Sequence, residues 1–244
     1  CCGEDQMAEG KFSRTEMIFG SEAMEKLNNA RVAVFGAGGV GGFAIEAFAR
    51  AGIGALDIVD NDVVSITNFN RQILAAESTL GMKKTEAARR RIADINPDCC
   101  VNTYDMFFLP ETKDEIDFSC YDYVVDAIDT VTGKLQIIKS AREAKVPVIS
   151  SMGTGNKTDP SALEITDIFK TSVCPLAKVM RKLCRENSID SLKVLYSKEI
   201  PVRSAKNGTE KNSQGRPVPG SVSFVPPAAG LMIAGEVIKD IAGY

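Results

Sequence analysis

Apolar runs alternate with segments of helical periodicity over the first 150 residues of the chain. The run Arg31–Phe35 predicts a buried strand, residues 43–51 predict a helix with one apolar face, and the next apolar run predicts a strand that ends in Asp60. The same reasoning predicts helices over 83–95 and 133–144 and strands within 100–106, 121–129 and 146–152. This alternation indicates an α/β fold with a Rossmann-like, doubly wound and mostly parallel sheet.

The C-terminal part of the chain carries other patterns. Residues 153–168 begin with turn-forming residues and continue with alternating apolar positions, which predicts antiparallel additions to the sheet. Residues 203–220 are rich in Gly, Lys, Asn, Ser and Pro and predict a flexible loop, whereas 224–244 predict an apolar helix. Because no stretch is typical of an interdomain linker, we expect a single domain over 1–244.

A glycine-rich turn joins the first predicted strand to the first predicted helix. The turn is G-A-G-G-V-G and contains Gly36, Gly38, Gly39 and Gly41. Glycines at these positions allow a tight turn, let a phosphate approach the backbone and bring the helix close to the strand. Asp60 follows at the spacing at which a carboxylate accepts hydrogen bonds from ribose hydroxyls. These features predict a nucleotide site and leave NAD, FAD, S-adenosylmethionine and ATP open.

Polar residues after the second strand distinguish between these nucleotides. The stretch D-N-D-V-V-S-I-T-N-F-N-R-Q, residues 60–72, brings Asp62, Asn68, Arg71 and Gln72 to the loop that borders the phosphates. A dehydrogenase needs a dry nicotinamide slot there, whereas an arginine among polar groups suits a triphosphate. A solvated loop arginine is the alternative interpretation of Arg71.

Two further charged residues fit a triphosphate. Lys84 lies at a predicted helix N-terminus, where a cation opposes the helix dipole, so phosphate binding explains it better than helix stability does. Asp129 follows a predicted strand at its carboxyl end, where an acid can hold the Mg²⁺ that bridges two phosphates. A helix N-cap is the alternative role for Asp129.

Composition narrows the chemistry. The sequence contains no histidine, and its seven cysteines form no C-x-x-C pair. A Ser-His-Asp triad and a histidine-ligated metal are therefore excluded, and neither a disulfide framework nor a four-thiolate zinc site is supported. No apolar run approaches the roughly 20 residues of a membrane span. The first 14 residues lack the pattern of a secretory signal, so we expect a cytoplasmic protein with no membrane contact, whose native start is Met7.

The charge is distributed unevenly. Residues 167–216 contain eleven Lys and Arg against five Asp and Glu, although the whole chain has a net charge of −3. We therefore expect a basic, flexible segment over about 170–220. It is either a solvated face or a surface on which a polyanion binds.

Four linked motifs carry a resemblance to a known family. G-A-G-G-V-G, D-N-D-V-V-S-I-T-N-F-N-R-Q, G-M-K-K-T-E and D-A-I-D-T occur in the order typical of the ubiquitin-activating-enzyme-like superfamily, with its ThiF-like adenylation domain. F-S-R-T-E-M-I-F-G, I-N-P-D-C, T-G-N-K-T-D-P-S-A-L-E-I-T-D-I and S-F-V-P-P-A-A-G-L extend the likeness over nearly the whole chain. They resemble the bacterial tRNA threonylcarbamoyladenosine dehydratase family.

The resemblance implies an ATP- and Mg²⁺-dependent homodimer that acts on tRNA. The threonyl carboxylate of the modified adenosine would be adenylated and then cyclised with release of AMP. The site residues that the resemblance implies are the phosphate-loop glycines, Asp60 at the ribose, Asn68, Arg71 and Lys84 at the triphosphate, and Asp129 at Mg²⁺. Arg14 would reach into the partner subunit's ATP site.

Other interpretations stay open at this point. One is an adenylyltransferase that activates the C-terminal carboxylate of a ubiquitin-like sulfur carrier, and another is an NAD-dependent oxidoreductase or a nucleotide-responsive binding module. A sulfurtransferase or redox protein is a candidate partner. Cys174, directly before Pro175, is either structural or the site of a covalent thioester, and the structural role is favoured because ring closure needs no second carrier.

Overall fold

The computed structural model describes residues 10–202 and 219–244. Seven strands form one sheet in these ranges. They are β1 (Arg31–Phe35), β2 (Ala55–Val59), β3 (Cys100–Tyr104), β4 (Tyr123–Asp126), β5 (Val148–Ser151), β6 (Leu163–Asp167) and β7 (Lys193–Ser197). The α-helices are α1 (Ser13–Phe19), α2 (Ser21–Asn29), α3 (Gly41–Ala51), α4 (Lys84–Ile95), α5 (Val131–Glu143), α6 (Pro175–Glu186) and α7 (Val225–Ala242).

The strand order is β3-β2-β1-β4-β5-β7-β6. All neighbouring strands run parallel except β6, which pairs antiparallel with β7. The chain winds outwards in one direction from β1 to β3 and in the other from β4 onwards. The carboxyl ends of β1 and β4 therefore border the crevice at which open α/β sheets bind ligands.

Alternate residues of β1 face opposite sides of the sheet. Val32 and Val34 belong to an apolar cluster with residues of α3, α4 and α7. Ala33 and Phe35 belong to a second cluster, which includes Ile137 of α5. Helices thus cover both faces of the sheet, and the predicted Rossmann-like, doubly wound, mostly parallel fold is confirmed.

The C-terminal part differs from the sequence prediction in one strand and one helix. The predicted antiparallel addition corresponds to β6, but β7 was not predicted. Val194, Leu195 and Tyr196 are all buried, because Leu195 packs in the apolar cluster on one face of the sheet and Val194 and Tyr196 pack in a cluster on the other. A strand covered on both faces reads as a short apolar run without alternation, which periodicity alone does not distinguish from a buried helix segment, and so β7 was overlooked.

The expectation of a flexible segment over about 170–220 is wrong for its first part. Residues 175–186 form α6, which buries Ala177, Met180 and Cys184 on one face, and β7 follows it. The basic residues there belong to the outer face of an amphipathic helix and not to a loop. Residues 203–218, which hold most of the predicted loop 203–220, lie outside the described residues.

Two N-terminal helices also escaped the pattern. No residue of α1 is buried, and α2 buries only Ala23 and Leu27. Because these two helices bury so few apolar residues, their sequences show no periodic apolar stripe that predicts a helix. Of the helices in the described ranges, none is long and apolar enough to cross a membrane.

Candidate nucleotide site

A cavity of about 600 Å³ opens at the carboxyl ends of β1, β2, β4 and β5. Its volume is in the range of small-molecule sites. Ten of the predicted site residues line it, namely Gly36, Gly38, Gly39, Asp60, Asp62, Asn68, Arg71, Gln72, Lys84 and Asp129. Gly41 and Arg14 are not among the lining residues.

The glycine turn has no room for side chains at two positions. Gly36 has φ +91°, and a Cβ there would lie 2.8 Å from the carbonyl oxygen of Ala127. A Cβ at Gly41 would lie 1.7 Å from the carbonyl oxygen of Gly36, so Gly41 serves close packing at the start of α3 and not the cavity wall. The turn leads into the N-terminus of α3, where the N–H of Gly42 donates to the carbonyl oxygen of Gly38 at 2.9 Å and the positive end of the helix dipole favours an anion.

Asp60 orders this turn. Its Oδ2 accepts a hydrogen bond from the backbone N–H of Ala37 at 2.7 Å, and its Oδ1 accepts one from the N–H of Asp62 at 2.8 Å. Each carboxylate oxygen keeps a second lone pair. Asp60 can therefore hold the turn and still accept a hydrogen bond from a sugar hydroxyl.

Lys84 has a partner that the sequence did not indicate. Its Nζ lies 2.7 Å from Oδ2 of Asp62 and 4.0 Å from Oδ1 of Asp60. The lysine is buried, and these carboxylates offset the unfavourable position of its charge at the start of α4. An ammonium with three donors can add a phosphate oxygen to these contacts.

Arg71 is oriented through a single nitrogen. Its Nη1 donates to the carbonyl oxygen of Thr67 and to Oδ1 of Asn70, both at 2.9 Å. Nε and Nη2 donate to no residue within 10–202 and 219–244. The edge formed by Nε and Nη2 can therefore pair with two oxygens of an anion.

The amides of Asn68 and Gln72 differ in what they bond. The side chain of Asn68 accepts from the N–H of Ser65 at 3.1 Å. The Oε1 of Gln72 is buried and has no partner among the described residues. This atom has almost no accessible surface, so it carries a desolvation penalty and does not open to the cavity.

Asp129 is exposed in the cavity wall. The N-cap of α5 is Thr130, so the alternative role of Asp129 as a helix cap is wrong. Its only bond among the described residues is a long one, 3.4 Å, from the hydroxyl of Thr130. The described part of the chain contains no cluster of three His, Cys, Asp or Glu that could hold a metal. A single carboxylate fits Mg²⁺, which takes one or two carboxylates and completes its shell with phosphates and water.

The sequence missed a large part of the wall. Residues 106–108, 153–155 and 219–221 line the cavity together with Pro226. The first two stretches lie at the ends of the predicted strands 100–106 and 146–152. Since strand ends meet at this edge of the sheet, their positions could have indicated the site. Nothing local to residues 219–221 indicates it.

Two other predicted residues lie outside the cavity wall. Arg14 is exposed on α1. Cys174 is 2 % exposed and packs in an apolar cluster with residues of α6. This burial supports the structural role of Cys174 over a thioester.

The basic residues of α6 divide into two kinds. Lys178 and Lys182 are exposed, and Lys182 has an ion pair with Glu186 at 3.6 Å. Arg181 is half-buried and donates to the hydroxyl and the carbonyl oxygen of Thr171. Arg181 belongs to the predicted basic segment 170–220, but its guanidinium is engaged with the stretch that precedes the helix.

Comparison with known proteins agrees with the motifs. The model of the ThiF family matches residues 12–244. This chain belongs to the ThiF family. The tRNA threonylcarbamoyladenosine dehydratase of Bacillus subtilis is 43% identical over 239 residues, which is 95% of this chain and 94% of that protein.

Solved structures of similar enzymes share the fold. The crystal structure of the Escherichia coli tRNA threonylcarbamoyladenosine dehydratase in complex with AMP superposes with a TM-score of 0.87 at 32% identity, covering 96% of this chain and 94% of that one. The same protein in complex with ATP gives 0.86. The adenylyltransferase and sulfurtransferase UBA4 of Saccharomyces cerevisiae is 34% identical, but the match covers 68% of this chain and 37% of that protein. The alternative of a sulfur-carrier adenylyltransferase is thus a distant likeness.

Proposed function

We propose that this chain is an ATP-dependent tRNA threonylcarbamoyladenosine dehydratase of the cytoplasm, built as one adenylation domain. The observation that carries the proposal is the convergence of the glycine turn, Asp60, Arg71, Lys84 and Asp129 on one cavity. It occurs in a chain similar over nearly its full length to enzymes of that name.

The proposed reaction has two steps. An oxygen of the threonyl carboxylate attacks the α-phosphate of ATP, and pyrophosphate leaves. An internal nucleophile of the same modified base then attacks the acyl carbon and loses a proton, and AMP departs with the former carboxylate oxygen. The balance is the loss of one water from the base. No step needs an imidazole, which suits a sequence without histidine.

The chain's own residues supply position and charge. Asp60 accepts from the ribose hydroxyls. The open edge of Arg71 and the ammonium of Lys84 bind phosphate oxygens, where negative charge grows as the bond to pyrophosphate breaks. Asp129 would hold Mg²⁺, which neutralises phosphate charge when bound.

Nucleoside analysis tests the proposal directly. The protein is incubated with ATP, Mg²⁺ and tRNA that carries threonylcarbamoyladenosine, and the tRNA is digested for mass spectrometry. We expect the modified nucleoside to lose the mass of one water, and chromatography of the spent nucleotide to give AMP. Accumulation of ADP, or a nucleoside of unchanged mass, would refute adenylation.

We further propose a homodimer in which Arg14 acts at the partner subunit's site. Arg14 is exposed and does not line the cavity of its own chain. Mixing an inactive Arg14→Ala chain with an inactive Arg71→Ala chain should restore roughly a quarter to a half of the activity, since random assortment makes mixed dimers with one intact site. A control mixture of Arg71→Ala with itself should stay inactive. No recovery despite measured subunit exchange contradicts this role of Arg14.

The exposed face of α6 is proposed to bind tRNA phosphates. Lys178→Glu with Lys182→Glu should weaken tRNA binding and lower the slope of log affinity against log salt by about two, roughly one for each lost phosphate contact. Filter binding at several salt concentrations measures both. Lys239→Glu is the control. Lys239 lies on α7 next to Asp240, and Asp240 accepts a hydrogen bond from Lys193 at the amino end of β7, whereas the cavity lies at the carboxyl ends of the strands. An unchanged slope would mean that the exposed face of α6 is only solvated and does not bind tRNA.

A sulfurtransferase or redox protein as a partner stays a prediction.

A further inference from the structure

The outer wall of the cavity is fixed by two asparagines that are far from it in sequence. The wall is the segment 219–221, which lines the cavity. Asn156 bonds Gly220 twice, because its Oδ1 accepts from the N–H of Gly220 at 2.7 Å and its N–H donates to the carbonyl oxygen of Gly220 at 2.8 Å. Asn70 donates from Nδ2 to the carbonyl oxygen of Ser221 at 3.0 Å.

Asn156 also joins the two ends of a long connection. Its carbonyl oxygen accepts from the N–H of Val202 at 2.9 Å. Val202 and Gly220, which lie on either side of residues 203–219 in the sequence, are thus both bonded to one residue beside the cavity. Asn156 adopts φ +56°, a left-handed conformation that asparagine tolerates better than most residues with a side chain.

The loop that carries Asn156 is itself held firmly. The carboxylate of Glu199 accepts from the N–H groups of Thr158 and Asp159 and from the hydroxyl of Thr158. Hydrogen bonds from these groups, that of the Asp159 backbone first, lower the pKa of Glu199. Lys157 is buried and donates to the carbonyl oxygen of Glu199. Residues 219–221 are thus bonded to a loop that is itself held in place by hydrogen bonds.

Asn70 connects the wall to the arginine of the site. The two ends of its amide have different partners, Ser221 through Nδ2 and Nη1 of Arg71 through Oδ1. A shift of the wall would therefore move the amide that sets the plane of the guanidinium. Packing adds a third constraint, since a Cβ at Gly155 would lie 2.8 Å from Cβ of Pro219.

We propose that Asn70 and Asn156 form a clasp on residues 219–221 that sets the position of the cavity wall and of Arg71, and so the affinity for the nucleotide triphosphate. Both are positioning residues, and the proposal rests on the proposed function of the same site. Fixing the wall and the guanidinium before the ligand arrives lowers the entropy lost on binding.

Two variants of Asn156 test the clasp on the full chain. Asn156→Gly accepts the left-handed backbone and keeps both backbone bonds, and it removes only the bond that the N–H of Gly220 donates to Oδ1. We expect the Kd of ATP with Mg²⁺, measured by calorimetry, to rise about three- to tenfold, as the loss of one hydrogen bond allows. Asn156→Asp keeps the acceptor and should stay within about twofold of the unchanged protein at about 0.15 M salt.

A matched control separates the clasp from a general effect of glycine. Ser188 also has a left-handed backbone, φ +54°, and does not line the cavity. Ser188→Gly should leave the Kd of ATP unchanged. The melting temperature of each variant without nucleotide should remain close to that of the unchanged protein, so that a change in Kd reports on the site.

The double variant tests whether the two asparagines act on one wall. If they do, Asn70→Ala with Asn156→Gly raises the Kd by less than the product of the two single effects, because either change already releases the wall. A multiplicative effect, equal loss in Asn156→Gly and Asn156→Asp, or no change in Asn156→Gly would overturn the clasp. The proposed function is contradicted by a different result. In that case the unchanged protein binds ATP and the variants change the Kd as expected, but the modified tRNA is not dehydrated.

Discussion

Replacement of Asp129 by Asn should lower turnover of the modified tRNA by about a hundredfold or more and leave the fold intact, as loss of a charge contact made in the transition state does. Asp129 is exposed, and its one bond among the described residues is long. Its charge therefore contributes little to the stability of the free protein. The amide has nearly the same shape but no charge for Mg²⁺.

Two measurements locate the defect of Asp129→Asn. The concentration of Mg²⁺ that gives half-maximal turnover should rise, whereas the melting temperature without nucleotide should change little. Asp114→Asn, at an exposed carboxylate that does not line the cavity, is the control and should keep full activity. An unaffected rate in Asp129→Asn would remove this carboxylate from the site.

The sequence predicted best where one local pattern specifies one local structure. The turn from Gly36 to Gly41 and the acid at Asp60 lie within a single βαβ unit, in which spacing along the chain determines spacing in the fold. In the fold the turn and Asp60 are in direct contact, because the N–H of Ala37 donates to the carboxylate. The same logic located Arg71, because it lies on the loop that follows the second strand.

Features that depend on distant segments could not be predicted. Asp62 is paired with Lys84 across 22 residues, and Asn70 with Ser221 across 151. No periodicity or propensity relates such positions, since only the tertiary fold brings them together. Residues 219–221 therefore gave no signal, although they form part of the cavity wall.

The buried ion pair of Lys134 and Asp126, next to the cavity, should contribute strongly to the free energy of unfolding. Lys134 of α5 and Asp126 at the end of β4 are both fully buried, and Nζ of Lys134 lies 3.1 Å from each carboxylate oxygen. The same ammonium donates to the carbonyl oxygen of Ser151 at 2.7 Å, and the hydroxyl of Ser150 donates to Asp126. The network thus joins the ends of β4 and β5, from which the wall segments 127–130 and 153–155 extend.

Lys134→Met should lower the free energy of unfolding by about 3–5 kcal/mol, because it leaves the carboxylate of Asp126 buried without its cation. Urea unfolding measures the loss from the shift of the midpoint. The exposed pair of Lys26 and Glu22 provides the control. Lys26→Met should change stability by no more than about 1 kcal/mol, as is usual for surface ion pairs.

The double variant Lys134→Met with Asp126→Asn distinguishes a lost ion pair from lost packing. Removing both charges should make the double variant more stable than Lys134→Met alone, since no unpaired charge stays buried. The effects of the two single changes would then not be additive. Additive losses would mean that the charges of Lys134 and Asp126 do not interact favourably in the folded protein, which would contradict the stabilising role of the ion pair.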